Sequence, residues 1–355
     1  MKKILISTGG SGGHVIPALN LYDHLKKDFN VKLYTDARGA KYIPKNISKT
    51  IFEVKQIPEK KFLLPLKIIF LFFAFIKSII HLKIIKFDIV ISTGGYMSLP
   101  IVLAAKIYNK KIFLFEPNSM IGRSNKFLLN FSSKIFCYDK NLRGLNKKYA
   151  DKIIELSPIL NRCFYSKKNN ETDNEILRIL IIGGSQASLF FSKNLKYEII
   201  ELASKYKIEL TQQLSPGFDI SNYKKDYDKN NIKNNIFFFE ENFLCKNFSF
   251  DIAITRSGAS SLAELAHLNI PFIAIPFPYA KDNHQFFNAK RYFDLNCSWI
   301  LEEKNFNSGD IYKIINQIMV NKNEYLKKKN NLKKFNENKT WENINEKIIK
   351  NLNDN

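Results

Sequence analysis

The stretch KKILISTGGSGGH, residues 2–14, and its echo RILIIGGSQASLF, residues 178–190, decide the reading of the fold. Each is an apolar run that ends in a glycine pair and a small hydroxylated residue where a helix begins. In the first, Ile4, Leu5 and Ile6 mark a strand and Ile16, Leu19 and Leu25 mark a helix, with Pro17 tolerated near its start. Glycine at such a junction permits positive φ and lets another group approach the backbone closely. A second matched pair follows, FDIVISTGGY at 87–96 and FDIAITRSGAS at 250–260. Apolar strand candidates at 31–34, 112–115, 134–138, 236–239 and 272–275 alternate with helical segments, the pattern of parallel α/β domains. The expectation is an α/β protein of two Rossmann-like domains facing a central cleft.

At 355 residues the chain is long enough for two domains, each with its own core. The polar run SKKNNETDNE at 166–175 has the composition of a linker. The boundaries read as 1–163 for the first domain, 164–176 for the linker, 177–330 for the second domain, and 331–355 for charged terminal helices open to packing back on the first. The stretch 219–235, rich in Asn, Lys and Asp, reads as a solvated connection. The formal net charge of +22 is spread over scattered lysines and forms no stripe, so anionic partners such as phosphates or a membrane surface are expected and nucleic acid is not. Cys137, Cys163, Cys245 and Cys297 show no CxxC and no framework spacing, and reduced thiols are expected. The start MKKILISTGG reads as a first strand and not as a signal peptide.

The glycine loops lack both GxGxxG with its following acidic residue and the GKS or GKT of a P-loop, which disfavours a nicotinamide dehydrogenase or an NTPase. What they offer is backbone N–H groups at helix starts, suited to a diphosphate and hence to a nucleotide or sugar nucleotide. His14 stands in the first helical turn, where a helix N-terminus favours the neutral ring that can accept a proton or donate a hydrogen bond. Its alternative is a packing role in that turn. No second histidine lies at ligand spacing from it, no HExxH occurs, and Asp226 and Asp228 sit in the polar run KKDYDKNN, where DxD reads as a solvated charge cluster. Bland alternatives stand beside the other candidates: an exposed helix carboxylate for Glu264, a surface ion pair for Arg256, a turn residue after Pro117 for Asn118, a helix-surface amide for Gln285, and a helix cap for Ser185.

Taken in order, GGSGGHVIPAL at 9–19, STGGY at 92–96, FEPNSMIGRSNKFL at 115–128, GGSQ at 183–186, TRSGASSLAEL at 255–265 and PYAKDNHQFFNA at 278–289 resemble the MurG family over almost the whole chain. These are peripheral membrane glycosyltransferases of GT-B architecture that add N-acetylglucosamine to the undecaprenyl-linked precursor of peptidoglycan. The resemblance implies inverting transfer from UDP-N-acetylglucosamine to lipid I on the cytoplasmic face of the inner membrane, with no bound metal or other cofactor. It implies His14 as the catalytic residue and donor contacts from Ser11, Gly12, Gly13, Asn118, Ser185, Ala259, Ser260, Ser261, Glu264 and Gln285, with Glu264 on the ribose hydroxyls. Arg162, Gln186, Glu240, Arg256 and His284 are further candidates, and FFEEN at 238–242 is where uracil would be met. Two departures stand out. Many relatives carry NPxR where this chain has SPILNR at 157–162, leaving Leu160 at the arginine's place and Arg162 two residues late, and HQTG becomes TQQL at 211–214. A different lipid or glycan acceptor, or a non-catalytic sugar-nucleotide-binding role, is the competing reading.

Residues 61–87, KFLLPLKIIFLFFAFIKSIIHLKIIKF, are apolar enough to suggest a membrane span but are interrupted by Lys67, Lys77, His81 and Lys83. At 100° per residue Lys60, Lys67, Lys77, Ser78 and His81 share about one third of the circumference. The expectation is a helix lying in the interface with its lysines toward anionic lipid; the alternative is a helix buried against the sheet, and both hold together if one side meets the sheet while Phe or Leu side chains reach the lipid.

Overall fold

The computed structural model describes residues 1–52, 54, 64–166, 175–185, 187–240, 242–246 and 249–354, without the side chains of residues 64, 65 and 67. The chain divides into two units, one of Met1–Arg162 with Thr340–Asn355 and one of Cys163–Lys339.

In the first unit the apolar runs become β1 (Lys3–Ser7), β2 (Asn30–Thr35), β3 (Lys49–Ile51), β4 (Ile89–Ser92), β5 (Lys111–Glu116), β6 (Lys134–Cys137) and β7 (Ile153–Glu155). Among the described residues they form one sheet in the order β3-β2-β1-β4-β5-β6-β7, every pair parallel. Crossovers run through α1 (Gly12–Leu25), α2 (Leu64–Ile84), α3 (Ser98–Ile107) and α4 (Arg123–Leu128), and α5 (Arg162–Ser166) leads out. Strands buried on both faces explain the near-continuous apolar runs, with Ile4, Leu5, Ile6, Ile89, Val90 and Ile91 almost wholly enclosed. Because β1 lies between β2 and β4, the strand order reverses at β1, and the turns after β1 and β4 leave the sheet side by side.

The second unit repeats the plan with β8 (Leu177–Ile182), β9 (Ile208–Gln213), β10 (Lys233–Phe237), β11 (Ile252–Thr255), β12 (Phe272–Ala274) and β13 (Ser298–Ile300), ordered β10-β9-β8-β11-β12-β13 and parallel throughout. Its helices are α6 (Leu189–Ala203), α7 (Ile220–Lys229), α8 (Ala259–His267), α9 (His284–Asp294), α10 (Asp310–Val320) and α11 (Lys322–Phe335). The last helix, α12 (Trp341–Asn353), belongs to the first unit and buries Ile344, Ile348 and Leu352 there. The boundary expected at 330/331 therefore falls inside α11, and the division comes after Lys339. Most of the expected linker, 167–174, lies outside the described residues.

Three expectations are corrected. The stretch 219–235 is no solvated connection: it holds α7 and the start of β10. Two tyrosines one helical turn apart, Tyr223 and Tyr227, carry its burial, and Tyr227 Oη donates to Gln212 Oε1 at 2.7 Å. Cys163 and Cys245 form a disulfide with Cα atoms 5.8 Å apart, a proximity that a sequence separation of 82 conceals, while Cys137 and Cys297 are buried thiols outside any disulfide.

The third concerns α2. Ser78 is buried and donates to Ala74 O, and His81 meets Tyr34 Oη at 3.0 Å, so these polar positions turn inward. The outward face is apolar, with Ile68, Ile69, Phe72, Phe73, Ile80 and Ile84 exposed, Phe73 by 64 %. A hydroxyl that bonds its own helix and an imidazole paired to a tyrosine carry no unmet polarity into the interior. Lys60 lies outside the described residues, and Lys77 Nζ sits 5.2 Å from the Phe52 ring centre. Among the described residues no helix is long and apolar enough to cross a membrane.

α12 is locked to α1 through His24, which is 1 % exposed, stacks on Trp341 at 3.6 Å and pairs its Nδ1 with Asn345 Oδ1 at 2.9 Å. Burial pushes its pKa from 6.5 down to about 4. A group whose folded pKa is depressed stabilises the fold above its unfolded pKa and loses that contribution as pH falls toward the folded one. The first unit should therefore lose about 3 kcal/mol of stability between pH 6.5 and 4 through His24 alone. Urea unfolding of wild type and His24→Gln across that range checks this, with the difference between them shrinking as pH falls.

Candidate functional site

In the first unit His14 is half-buried in the opening turn of α1, whose N-cap is Ser11. Ser11 O accepts from the backbone N–H groups of His14 and Val15 at 3.0 and 3.2 Å, Gly12 is buried and Gly13 exposed. The ring is fixed by the neighbouring turn: Nδ1 lies 2.9 Å from Thr93 O, and Thr93 Oγ1 donates back to His14 O at 3.1 Å. A carbonyl can only accept, so Nδ1 carries the proton and Nε2 of the neutral ring keeps its lone pair. Gly94, at φ +90°, closes over the imidazole, and a β-carbon there would come within 3.1 Å of Cε1 and Nδ1.

Beside it, the loop after β5 is organised by a carboxylate. Glu116 is 1 % exposed and accepts from Asn118 N and Nδ2 through Oε1, and from Gly122 N and Asn125 Nδ2 through Oε2. Four donors on one buried carboxylate make a rigid loop. Asn118 is therefore held by more than a turn, with its side-chain amide nitrogen on Glu116 Oε1 at 2.8 Å. Asp36 does the same for the first glycine turn, taking Gly10 N at 2.9 Å and Gly39 N at 2.8 Å, and these bonds hold its pKa below the usual value against the opposing effect of burial.

In the second unit the Gly183–Gly184 turn is braced by Gln213 of the TQQL segment, whose Oε1 accepts from Gly183 N at 3.0 Å and whose Nε2 donates to Gly184 O at 3.1 Å. Ser185 is half-buried in this loop; Gln186 lies outside the described residues. The cap of α6 is Ser188, not Ser185, and its Oγ also accepts from Arg256 Nε at 3.1 Å. Arg256 is no surface residue: it is 7 % exposed, donates to Ile275 O and Pro276 O, pairs with Glu303 and lies among the Phe190, Phe191 and Phe277 rings.

The start of α8 is uncapped. Its N-cap is Gly258, no side chain caps it, and the N–H groups of Ala259, Ser260 and Ser261 occupy the first turn, where no intrahelical acceptor exists. Ser257 Oγ just before it is fully buried without a hydrogen-bond partner among the described residues. One turn on, Glu264 is half-buried with its carboxylate unpartnered among the described residues, and loss of solvation pushes its pKa up to about 8. Gln285 is not a helix-surface amide: Oε1 accepts from Ser257 N at 3.2 Å and Phe277 N at 3.0 Å, which turns its NH2 away from those backbone groups. His284 donates Nδ1–H to Lys281 O at 2.8 Å and keeps Nε2 as an acceptor.

Two candidates stand elsewhere. Arg162 lies 5.8 Å from the Trp341 ring in the first unit, and Leu160, at the displaced arginine's place, is 1 % exposed core. Glu240 is paired with Lys246. Asp226 pairs with Lys196 and Asp228 accepts from Asn234, and among the described residues no three His, Cys, Asp or Glu gather into a metal-holding group. The sequence reading missed Thr93, Glu116, Asn125, Ser188 and Asn288. Thr93, Glu116, Asn125 and Asn288 stand inside the motifs quoted above, and Glu116 left a further signal as a lone carboxylate closing the apolar strand KIFLFE; Asn288 Nδ2 donates to Ser257 O at 3.0 Å.

Comparison with known proteins gives two family matches: the glycosyltransferase family 28 N-terminal domain over residues 4–137 and the family 28 C-terminal domain over residues 178–344. The UDP-N-acetylglucosamine–N-acetylmuramyl-(pentapeptide) pyrophosphoryl-undecaprenol N-acetylglucosamine transferase of Pelagibacter ubique (strain HTCC1062) is 45 % identical over 358 residues, covering 100 % of this chain and 99 % of the relative. The protein of the same name from Rickettsia felis is 32 % identical over 88 % of this chain and 89 % of its own. Among solved structures, MurG of Acinetobacter baumannii superposes with a TM-score of 0.79 at 20 % identity, over 99 % of this chain and 100 % of its own. A UDP-glucosyltransferase from Polygonum tinctorium follows with a TM-score of 0.70 at 10 % identity, over 100 % of this chain and 99 % of its own. These likenesses show the fold, two Rossmann-like α/β units of the GT-B class.

Proposed function

The chain belongs to the MurG family of glycosyltransferases, and from that membership we propose that it transfers N-acetylglucosamine from UDP-N-acetylglucosamine to lipid I, giving lipid II with inversion at the anomeric carbon. The observation that carries the catalytic reading is the tautomer of His14, held by Thr93 O with Nε2 left as the base. The acceptor hydroxyl attacks the anomeric carbon while its proton passes to Nε2, and the bond to UDP breaks with the electron pair going to the diphosphate. That charge grows against N–H groups at the start of α8 and in the Gly183–Ser185 loop, dipoles fixed before the reaction begins. Asn118, Ser11, Gly12 and Gly13 complete the first unit's share of substrate contacts.

On the donor side the uridine ribose supplies the hydroxyls that Glu264 lacks, Gln285 turns its NH2 to the sugar with His284 beside it, and residues near Glu240 meet uracil. Arg256 supports this arrangement from behind, through Ser188 and Glu303, and is a positioning residue. The exposed face of α2 rests on the cytoplasmic surface of the membrane that holds lipid I, its isoleucines and phenylalanines in the interface.

Incubation of purified protein with UDP-N-acetylglucosamine and lipid I should yield lipid II. His14→Ala should lower turnover about 10²-fold or more while UDP affinity and cooperative unfolding persist. Unchanged turnover at saturating acceptor removes His14 from the reaction.

Hydroxyls that donate to Glu264 favour its ionised form, so UDP binding should release a proton. Since the free carboxyl titrates near 8, affinity should rise with pH up to about 8 and level off above it. Glu264→Gln should flatten this slope in calorimetric titrations, and Glu264→Ala should weaken UDP by roughly 1.5–3 kcal/mol. A wild-type profile that falls toward pH 8 contradicts the assignment.

Replacing Phe72 and Phe73 by serine should reduce sedimentation with anionic vesicles and slow transfer to lipid I, with UDP binding and the unfolding midpoint retained because both rings are exposed. Unchanged sedimentation defeats the membrane reading of α2.

A further inference from the structure

We propose that Cys163 and Cys245 form a reversible thiol–disulfide switch that sets the affinity of the second unit for the donor nucleotide. The proposal rests on the reading of the loop near Glu240 as the place where uracil is met.

The disulfide joins two segments of this unit. One is the chain that enters it: Cys163 is its first residue, Phe164 is 2 % exposed, and Tyr165 sets its ring edge-on to His267 with centroids 4.8 Å apart. His267 is the last residue of α8, and its imidazole is hydrogen-bonded to the Phe164 backbone. Residues 163–165 are therefore docked on the end of the helix that carries Glu264. The other segment is the loop that leaves β10. Phe238 and Phe239 are exposed there, Glu240 pairs with Lys246, and the turn Phe243–Cys245 brings the chain to Cys163. One covalent bond thus fastens the far end of this loop to residues docked on α8.

Opening the bond loosens the loop without unfolding it. Phe243 stacks on Phe237 at 4.3 Å and is buried together with Leu244, so the turn keeps its own packing. What it loses is the tie to α5, and a loop that must be ordered when the ligand arrives binds it less tightly than one already held in place. Cys163 and Cys245 are half-buried and within reach of a small thiol, whereas Cys137 and Cys297 are at most 1 % exposed. Closure by a low-molecular-weight disulfide such as oxidised glutathione takes two exchanges. The thiolate of one cysteine attacks it and expels a glutathione thiolate; the thiolate of the second then attacks the protein sulfur of the mixed disulfide and expels the other. The protein gives up two electrons and two protons, which leave as two molecules of reduced glutathione, and an excess of reduced glutathione reverses both steps.

Calorimetric titration of the full chain with UDP, in glutathione buffers of graded oxidised-to-reduced ratio, tests this. Peptide mapping by mass spectrometry should find Cys163 and Cys245 joined at the oxidising end and both open to alkylation at the reducing end. The Kd for UDP should rise about three- to tenfold on reduction, with the near-UV circular dichroism retained. C163S/C245S should bind UDP like the reduced protein at every ratio; should it fail to fold, the two redox forms of the wild type carry the same comparison. In turnover with lipid I, reduction should raise the KM for UDP-N-acetylglucosamine by the same factor and leave kcat at saturating donor unchanged. Equal UDP affinity of the two forms overturns the switch, as does a pair that stays closed or stays open across the whole series. A redox dependence that survives in C163S/C245S overturns it too, by placing the effect elsewhere. If F239A and E240A leave uridine binding unchanged while redox state still shifts UDP affinity, the uracil reading of the loop fails and the switch stands; weaker uridine binding in those variants with no redox dependence is the reverse.

Discussion

The parallel pairing of β1 with β4 is the constraint on which the first unit's chemistry depends. Ser7 and Ser92 are register partners, so both strands end level and their turns emerge in contact. The contact is closer than any side chain allows: at Gly95, with φ +86°, a β-carbon would stand 2.8 Å from Gly9 O. Ser98, the first residue of α3, ties the two turns with its single hydroxyl, which lies 2.8 Å from Gly94 O and 3.1 Å from Ser7 O. Only with the turns at this spacing can Thr93 reach His14 with its carbonyl and its hydroxyl together. The tautomer of a single histidine is thereby set by the register of a buried sheet, whose apolar core holds that register against slippage.

The second unit solves the same problem with different groups. β8 and β11 are again neighbours at the point where strand order reverses, and their turns leave side by side. Here side-chain amides do the bracing: Gln213 spans the first turn, while Gln285 and Asn288, from α9, hold the N–H and the carbonyl of Ser257. Amides suit this work because each carries donor and acceptor in one plane and can satisfy both kinds of backbone group. The start of α8 that Gln285 and Asn288 hold in place remains uncapped, the condition for binding an anion there.

Most of the fold was legible because a strand buried on both faces must be apolar along its length and a βα turn with positive φ must be glycine. Those demands write directly onto short stretches, as in KKILISTGG and RILIIGG. The hidden parts have a physical reason for being hidden. α7 is polar at nearly every position, and two tyrosines suffice to dock it, so composition pointed the wrong way. The pairing of Cys163 with Cys245 is a tertiary coincidence that spacing does not encode. His14, Glu264 and Gln285 could be singled out by type and motif, whereas Thr93 acts mainly through its carbonyl, a group every residue possesses. For α2 the periodicity separated a polar from an apolar face, but a helical wheel does not say whether a serine and a histidine face water or partners such as Ala74 O and Tyr34, and only those two polar positions turn inward.

In the proposed reaction Arg256 serves the donor site without touching the ligand. Its Nε is on Ser188, one terminal nitrogen on two carbonyls and the other on Glu303, and burial works to lower its pKa while Glu303 works to raise it. A guanidinium so engaged would have to surrender buried hydrogen bonds to reach a ligand, and each bond left unmade in that environment costs about 1–3 kcal/mol. Its more economical use is to fix Ser188 and the residues after β12, and so the loops on either side of the α8 start. In the proposed reaction the stabilising charge at the leaving diphosphate then comes from backbone N–H dipoles that neither move nor desolvate as the bond breaks. Preorganised dipoles of this kind require no reorganisation at the transition state, which is why two glycine turns and a helix start, rigidly braced, can replace a mobile cation.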